Sequence, residues 1–267
     1  MPLVFSAITP HTPLLVPNIG KENIERLSKT RYSLHYLEKN LYSAKPESLI
    51  IISPHGPVLD NAFTINLCDK YIGRLEEFGD HSTQIDLKGD YNSIQQIRAG
   101  YEASELCDVP FTLSSFPDVD YAVSVPLLYL MNHQKNLPII PVYYSLLDPK
   151  TCYNFGVLLR KKLNRIEKRF AVVASADLSH KLLKRSPTGY SKHGDVFDKA
   201  ILEFLEKKDV DALFSIDPIV LKKSGQCGFN AILIMLGILG ETDYTVDILS
   251  YEHPFGVGYL TAEMKIL

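Results

Sequence analysis

The sequence predicts an α/β protein: a three-layer α/β/α sandwich around a largely parallel or mixed sheet. Three observations carry that reading. Short, almost wholly apolar runs recur along the chain, at residues 3–8, 48–53, 137–144 and 170–174, each ending in Pro, Gly, Ser or Asp punctuation. Runs this short suit strands buried on both faces. They alternate with longer segments of helical periodicity, and the βα alternation puts helices on both faces of a sheet. The chain of 267 residues is 46% hydrophobic and carries no repeat, low-complexity stretch or linker, so residues 1–267 are expected to form a single domain.

In order, a strand at 3–8 leads through a Pro-rich turn to a helix over 21–42, with Asn18 or Gly20 near its start. Strands follow at 48–53 and 62–67, with a further short one at 84–87. A helix is predicted over 91–106 and another over 122–132, then a buried strand at 137–144. The segment 152–167 is helical and basic on one side, 170–174 is an all-apolar strand, and 194–207 is an amphipathic helix. An apolar helix at 231–239 and two closing strands at 245–250 and 257–264 complete the chain.

The formal net charge of −3 gives no electrostatic reason to expect nucleic acid or an anionic membrane as partner. The start MPLVFSAITPHTPLL lacks a basic segment followed by a long apolar run, and the apolar stretch AILIMLGILG is too short to span a bilayer. Neither a signal peptide nor a transmembrane helix is expected. Cys68, Cys107, Cys152 and Cys227 form no CxxC pair, which argues against a structural zinc site and for free thiols in a reducing, cytoplasmic setting.

Three of the apolar runs end in a histidine: His11 in TPHTP, His55 in SPHGP and His180 in ASADLSHKL. Flanking prolines pin the first two turns. In parallel sheets ligands bind beyond the carboxyl ends of the strands, and neutral imidazole is a common ligand for Fe, Zn, Cu and Ni. One such histidine alone is an ordinary turn residue; two in matching contexts point to a site. His180 reads as a third ligand or an acid/base group oriented by Asp177 or Ser179, which also suit a helix N-cap. His35, His81, His133 and His193 show no such placement and read as surface residues, with lining a site mouth the alternative for His193 before Gly194.

An iron site with two histidines also needs a carboxylate, and Glu252, Asp177, Asp60 and Asp195 are candidates. The stretch SGQCGF offers Gln226 and Cys227 between glycines at the start of an apolar helix. There the helix dipole favours a thiolate if Cys227 is exposed, while a small buried residue is the ordinary fate of a free cysteine. In the tail SYEHPFGVGYL, Tyr251, Phe255 and Tyr259 can wall a planar substrate or simply be core aromatics.

The ordered set TPHTPLLVP, IIISPHGPV, ASADLSHKL, SGQCGF and SYEHPFGVGYL resembles the catalytic B subunit of class III extradiol ring-cleavage dioxygenases, especially the Memo-like bacterial branch. It covers almost the whole chain. The resemblance implies an α/β/α fold and a mononuclear metal site, with His11 and His55 as metal ligands and His180 as acid/base. The third ligand would come from the position where close relatives carry Glu-Cys-Gly and this chain carries Gln226-Cys227-Gly228; Memo itself uses a cysteine in this region. His253 stands where relatives have glycine, and could supply a third imidazole or, with Tyr251, Phe255 and His193, contact substrate.

The expected activity is extradiol cleavage of a catechol-type ring with O2 at Fe(II). The expected partners are the aromatic substrate and O2, with a homodimer or a small partner subunit by analogy. The alternative is a Memo-like protein that binds Zn, Cu or Fe without ring cleavage. A thiolate favours the softer metals. A zinc hydrolase on a similar sheet ranks last.

Overall fold

The computed structural model describes residues 3–102 and 109–267. Along the chain run β1 (Leu3–Thr9), α1 (Pro17–Gly20), α2 (Ser28–Ala44), β2 (Ser48–Ser53), β3 (Phe63–Asn66), β4 (Lys70–Leu75) and β5 (Asp80–Lys88). They are followed by α3 (Tyr91–Glu102), β6 (Phe111–Ser114), β7 (Asp118–Val119), α4 (Tyr121–Leu130), β8 (Ile139–Tyr143), α5 (Pro149–Leu163) and β9 (Phe170–Ser175). The chain ends with α6 (Lys192–Lys207), α7 (Val210–Phe214), α8 (Pro218–Ser224), α9 (Phe229–Leu239), β10 (Tyr244–Glu252) and β11 (Tyr259–Ile266).

Eight strands make one mixed sheet in the order β10-β11-β1-β9-β2-β8-β3-β6, and β5-β4-β7 form a small second sheet. The four central strands β1, β9, β2 and β8 are mutually parallel, while β11 and β3 flank them antiparallel. Successive side chains of a strand face opposite sides, and β2 divides accordingly. Leu49 and Ile51 pack with Leu37 and Leu41 of α2 and Val123 and Leu127 of α4. Ile50 and Ile52 pack with Phe155 and Leu159 of α5 and Ile232 and Met235 of α9. Two cores on the two faces of one sheet are the three layers that the apolar runs predicted.

The differences are local. The helical stretch expected from residue 21 begins as a 3-10 run, Lys21–Leu27, and turns α-helical at Ser28. Lys21 lies at φ 48°, which breaks the chain out of α1. Strand β4 has a half-buried alternating pattern, masked in sequence by Gly73 and its charged residues. The end of the helix predicted over 91–106, from residue 103 on, and Cys107 lie outside the described residues. Among the described residues no helix is long and apolar enough to cross a membrane.

Candidate metal centre

The three histidine-bearing strands are neighbours, with β9 between β1 and β2. Their ends are in register, Thr9 opposite Ser175 and Ile52 opposite Ala174. His11 and His55, each two residues past its strand, and the loop 176–180 past β9 therefore emerge side by side at the carboxyl edge. A fourth segment joins them from the α8–α9 connection. Gly228 N donates to Asp177 O at 3.0 Å, so close that a Cβ on Gly228 would stand 2.5 Å from the Ala176 Cβ. Only glycine permits that approach, and it carries Cys227 into the space between the histidines.

The ligand atoms of His11, His55 and Cys227 all lie within 4.8 Å of one another. Cys227 Sγ is 3.4 Å from His11 Nε2 and 3.7 Å from His180 Nε2. The His11 and His55 rings meet edge to face, 5.2 Å between centroids. His11 is only 1% exposed; His55, Cys227 and His180 are half-buried.

A chain of hydrogen bonds fixes the His11 tautomer. Pro126 inside α4 has no N–H to give to the Ala122 carbonyl one turn earlier. That carbonyl accepts instead from Ser175 Oγ at 2.6 Å. With its one proton committed there, Ser175 Oγ accepts from His11 Nδ1–H at 2.9 Å. The Nε2 lone pair is thus left facing Cys227, and the hydrogen bond at Nδ1 orients the ring as a metal-binding imidazole requires. His11 N donates to Asp177 Oδ1 at 3.0 Å, and Asp177 Oδ2 lies 3.8 Å from His11 Nε2. On the other side, Ser53 Oγ accepts from His55 N at 3.1 Å and donates to Asp120 Oδ1 at 2.8 Å. Tyr121 stacks on the His55 ring and places its hydroxyl 2.9 Å from His55 Nε2.

Burial sets the charge states. Desolvation, helped by the neighbouring His180, lowers His11 to about 3. Desolvation, with His11 and His180, lowers His55 to about 4. Both imidazoles are neutral near pH 7. Burial and the Asp177 charge push the Cys227 thiol well above its usual value. Burial raises Asp177 to about 6, opposed by His180 and the His11 N–H. Two neutral imidazoles and a thiol fit a borderline or soft metal. The 3.4 Å sulfur–nitrogen separation matches two ligands sharing one ion at about 2.3 Å and about 2.0–2.1 Å.

The remaining predicted residues fall in different places. Gln226 Oε1 accepts from Phe229 N at 2.8 Å, which caps the first turn of α9 and engages the oxygen there rather than in the cluster. The Ser179 backbone and hydroxyl hold the His180 segment. Ser179 N donates to Asp198 Oδ1 at 2.8 Å, its hydroxyl donates to Ser224 O at 2.8 Å, and its carbonyl accepts from Gly258 N at 2.9 Å. Tyr251 donates to the other oxygen of Asp198 at 2.7 Å, so it braces this network. His253 is exposed, with its ring 5.8 Å from that of Tyr251. Phe255 lies under the Arg26 guanidinium at 4.4 Å and shares a small apolar cluster with Tyr121 and Phe78. Tyr259 is buried in that same cluster. His193 is half-buried in the first turn of α6, its N–H donating to Ser191 Oγ at 3.3 Å. Glu252 accepts from Thr30 N and Oγ1 at the start of α2, and Asp60 and Asp195 are exposed. Sequence reasoning missed Ser175, Asp120, Tyr121 and Asp198. Only Asp120, an aspartate directly before an apolar helical stretch, carried a readable signal, that of an N-cap.

A family model described as the catalytic LigB subunit of aromatic ring-opening dioxygenase matches residues 6–262, and the chain belongs to that family. It is 28% identical over 258 residues to Protein CA_C1420 of Clostridium acetobutylicum; the match takes in 94% of this chain and 55% of that protein, so the chain spans about half the length of this relative. Among solved structures, the uncharacterized protein JW3007 from Escherichia coli K12 shares the fold, with a TM-score of 0.64 at 14% identity over 98% of this chain and 99% of that one.

Proposed function

We propose that this chain opens catechol-type aromatic rings with O2 in the extradiol manner, at an Fe(II) ion held by His11, His55 and Cys227 with Asp177 beside them. The observation that carries the reading is the convergence of these donors within 4.8 Å, with a further imidazole, His180 Nε2, 3.7 Å from Cys227 Sγ. When bound, the metal would supply the Lewis acidity that lowers a phenol pKa and a position for O2. His180 takes the proton from the substrate hydroxyl and returns it as the ring opens. It is kept in place by the Ser179 contacts to α6, α8 and the β11 approach. Asp177 is ionised at neutral pH and offsets cationic charge at the cluster. Tyr121, against both histidines, and Phe78 behind it give the site an aromatic flank. Both atoms of O2 enter the product, so no external reductant is needed.

A second reading, a metal-binding protein without ring cleavage that takes zinc or copper, is favoured by one specific observation. The oxygen of Gln226 is spent on capping α9, and Cys227 occupies the cluster instead. One experiment separates the two. Iron-loaded protein is offered a panel of catechols while O2 uptake and ring-opened product are followed, alongside metal analysis of protein purified without added metal. Oxygen uptake that needs iron and is lost in His180→Ala supports ring cleavage. One zinc or copper per chain, with no uptake on any catechol, supports the second reading.

A further inference from the structure

Tyr121 touches both histidines of the centre. Its ring stacks on His55, 4.8 Å between centroids and 23° between planes, and meets His11 edge-on at 5.7 Å. Phe78 closes the next side edge-on at 5.0 Å. Tyr121 is the first residue of α4, and Asp120 before it caps that helix by accepting from Ala122 N and Val123 N. The same Asp120 oxygen accepts from Ser53 Oγ, the group that holds the His55 backbone. Ligand histidine and tyrosine thus hang from one Ser53–Asp120 pair and keep a fixed mutual geometry.

The hydroxyl lies 2.9 Å from His55 Nε2, so its hydrogen-bond partner is a ring nitrogen of a candidate ligand. A tyrosine hydroxyl both donates and accepts, and its place against His55 sets its one proton at the edge of the centre. A donor so placed serves an acceptor that arrives with the metal and lies against the aromatic flank.

We infer that Tyr121 is the hydrogen-bond donor to a ligand oxygen at the open side of the His11, His55 and Cys227 centre, and that it selects planar phenolate or catecholate ligands. The inference deepens the proposed function and rests on it. A hydrogen bond from a neutral phenol to an anionic oxygen is stronger than one to a neutral oxygen, and the stacked ring beside it favours a flat ligand.

The test is Tyr121→Phe, which keeps the ring and its stacking and removes only the hydroxyl. Wild type and variant are loaded with iron under nitrogen, their metal content is measured, and 4-nitrocatechol is titrated in by its absorption shift. The expected result is equal metal content and nitrocatechol binding weaker by roughly tenfold to a hundredfold in the variant, the loss of one hydrogen bond to a charged group. Equal nitrocatechol binding by both proteins, or none by metal-loaded wild type, overturns the inference and leaves the metal reading standing. A wild type that takes up no metal overturns the proposed function and this inference with it.

Discussion

Cys227→Ser should remove the pH dependence of metal binding, because Cys227 is the donor that must lose a proton to bind. Above about pH 7 the two imidazole donors and Asp177 have no protons to release. His11 and His55 are depressed to about 3 and about 4, and Asp177, at about 6, is already ionised. The thiol alone is protonated, since burial and Asp177 raise it. Each pH unit below the thiol pKa then changes the thiolate fraction tenfold, and the metal association constant with it. Between about pH 7 and about pH 8.5 wild-type affinity should rise about 30-fold, or about 2 kcal/mol. The serine variant should stay flat and bind more weakly throughout. Competition against a chromophoric chelator, with zinc or cobalt at several pH values, measures both slopes. A flat wild-type profile, or the same slope in Cys227→Ser, would refute thiolate ligation.

Gly228→Ala should bring a methyl against Ala176 and the Asp177 carbonyl; the loop must then withdraw, metal affinity should fall at least about tenfold, and stability should drop by about 1–3 kcal/mol, read by chelator competition and urea unfolding. His180→Ala should leave metal content at wild-type level and lower ring-opening turnover by about 10²–10⁴-fold; full turnover on the best catechol would exclude the proton-transfer role. Asp198 is raised to about 6 by burial, against about 3.9 in the unfolded chain. Its contribution is therefore fully present at acid pH and is lost as pH rises through about 6. Asp198→Asn, which still accepts from Ser179 N, should gain up to about 3 kcal/mol of stability relative to wild type near pH 8. Asp198→Ala, which leaves Ser179 N and Tyr251 unpartnered, should unfold more easily and lower turnover through His180.

The layers of the fold were legible because the central strands are buried on both faces and read as unbroken apolar runs; of the small sheet only β5 was, as the short strand at 84–87, because β4 carries Lys70 and Arg74 at exposed positions and β7 is two residues long. In the site, the proline-framed turns of His11 and His55 announced themselves, whereas the choice between Gln226 and Cys227 did not. Adjacent residues point apart, and which one faces the histidines depends on how closely Gly228 approaches β9, a distance between segments far apart in sequence. The same holds for Ser175 and Pro126, whose joint effect on the His11 tautomer passes through a carbonyl that no local pattern marks. Tyr121 lay at the edge of a predicted helix, and only the packing of α4 against the β2 turn reveals its contact with His55.

Anomalous diffraction from crystals of the metal-loaded protein tests the central claim most directly. The account predicts one peak per chain, bonded to a ring nitrogen of His11, a ring nitrogen of His55 and Cys227 Sγ. Fully loaded protein with no peak between His11 and His55, or with its metal bound elsewhere, would contradict it.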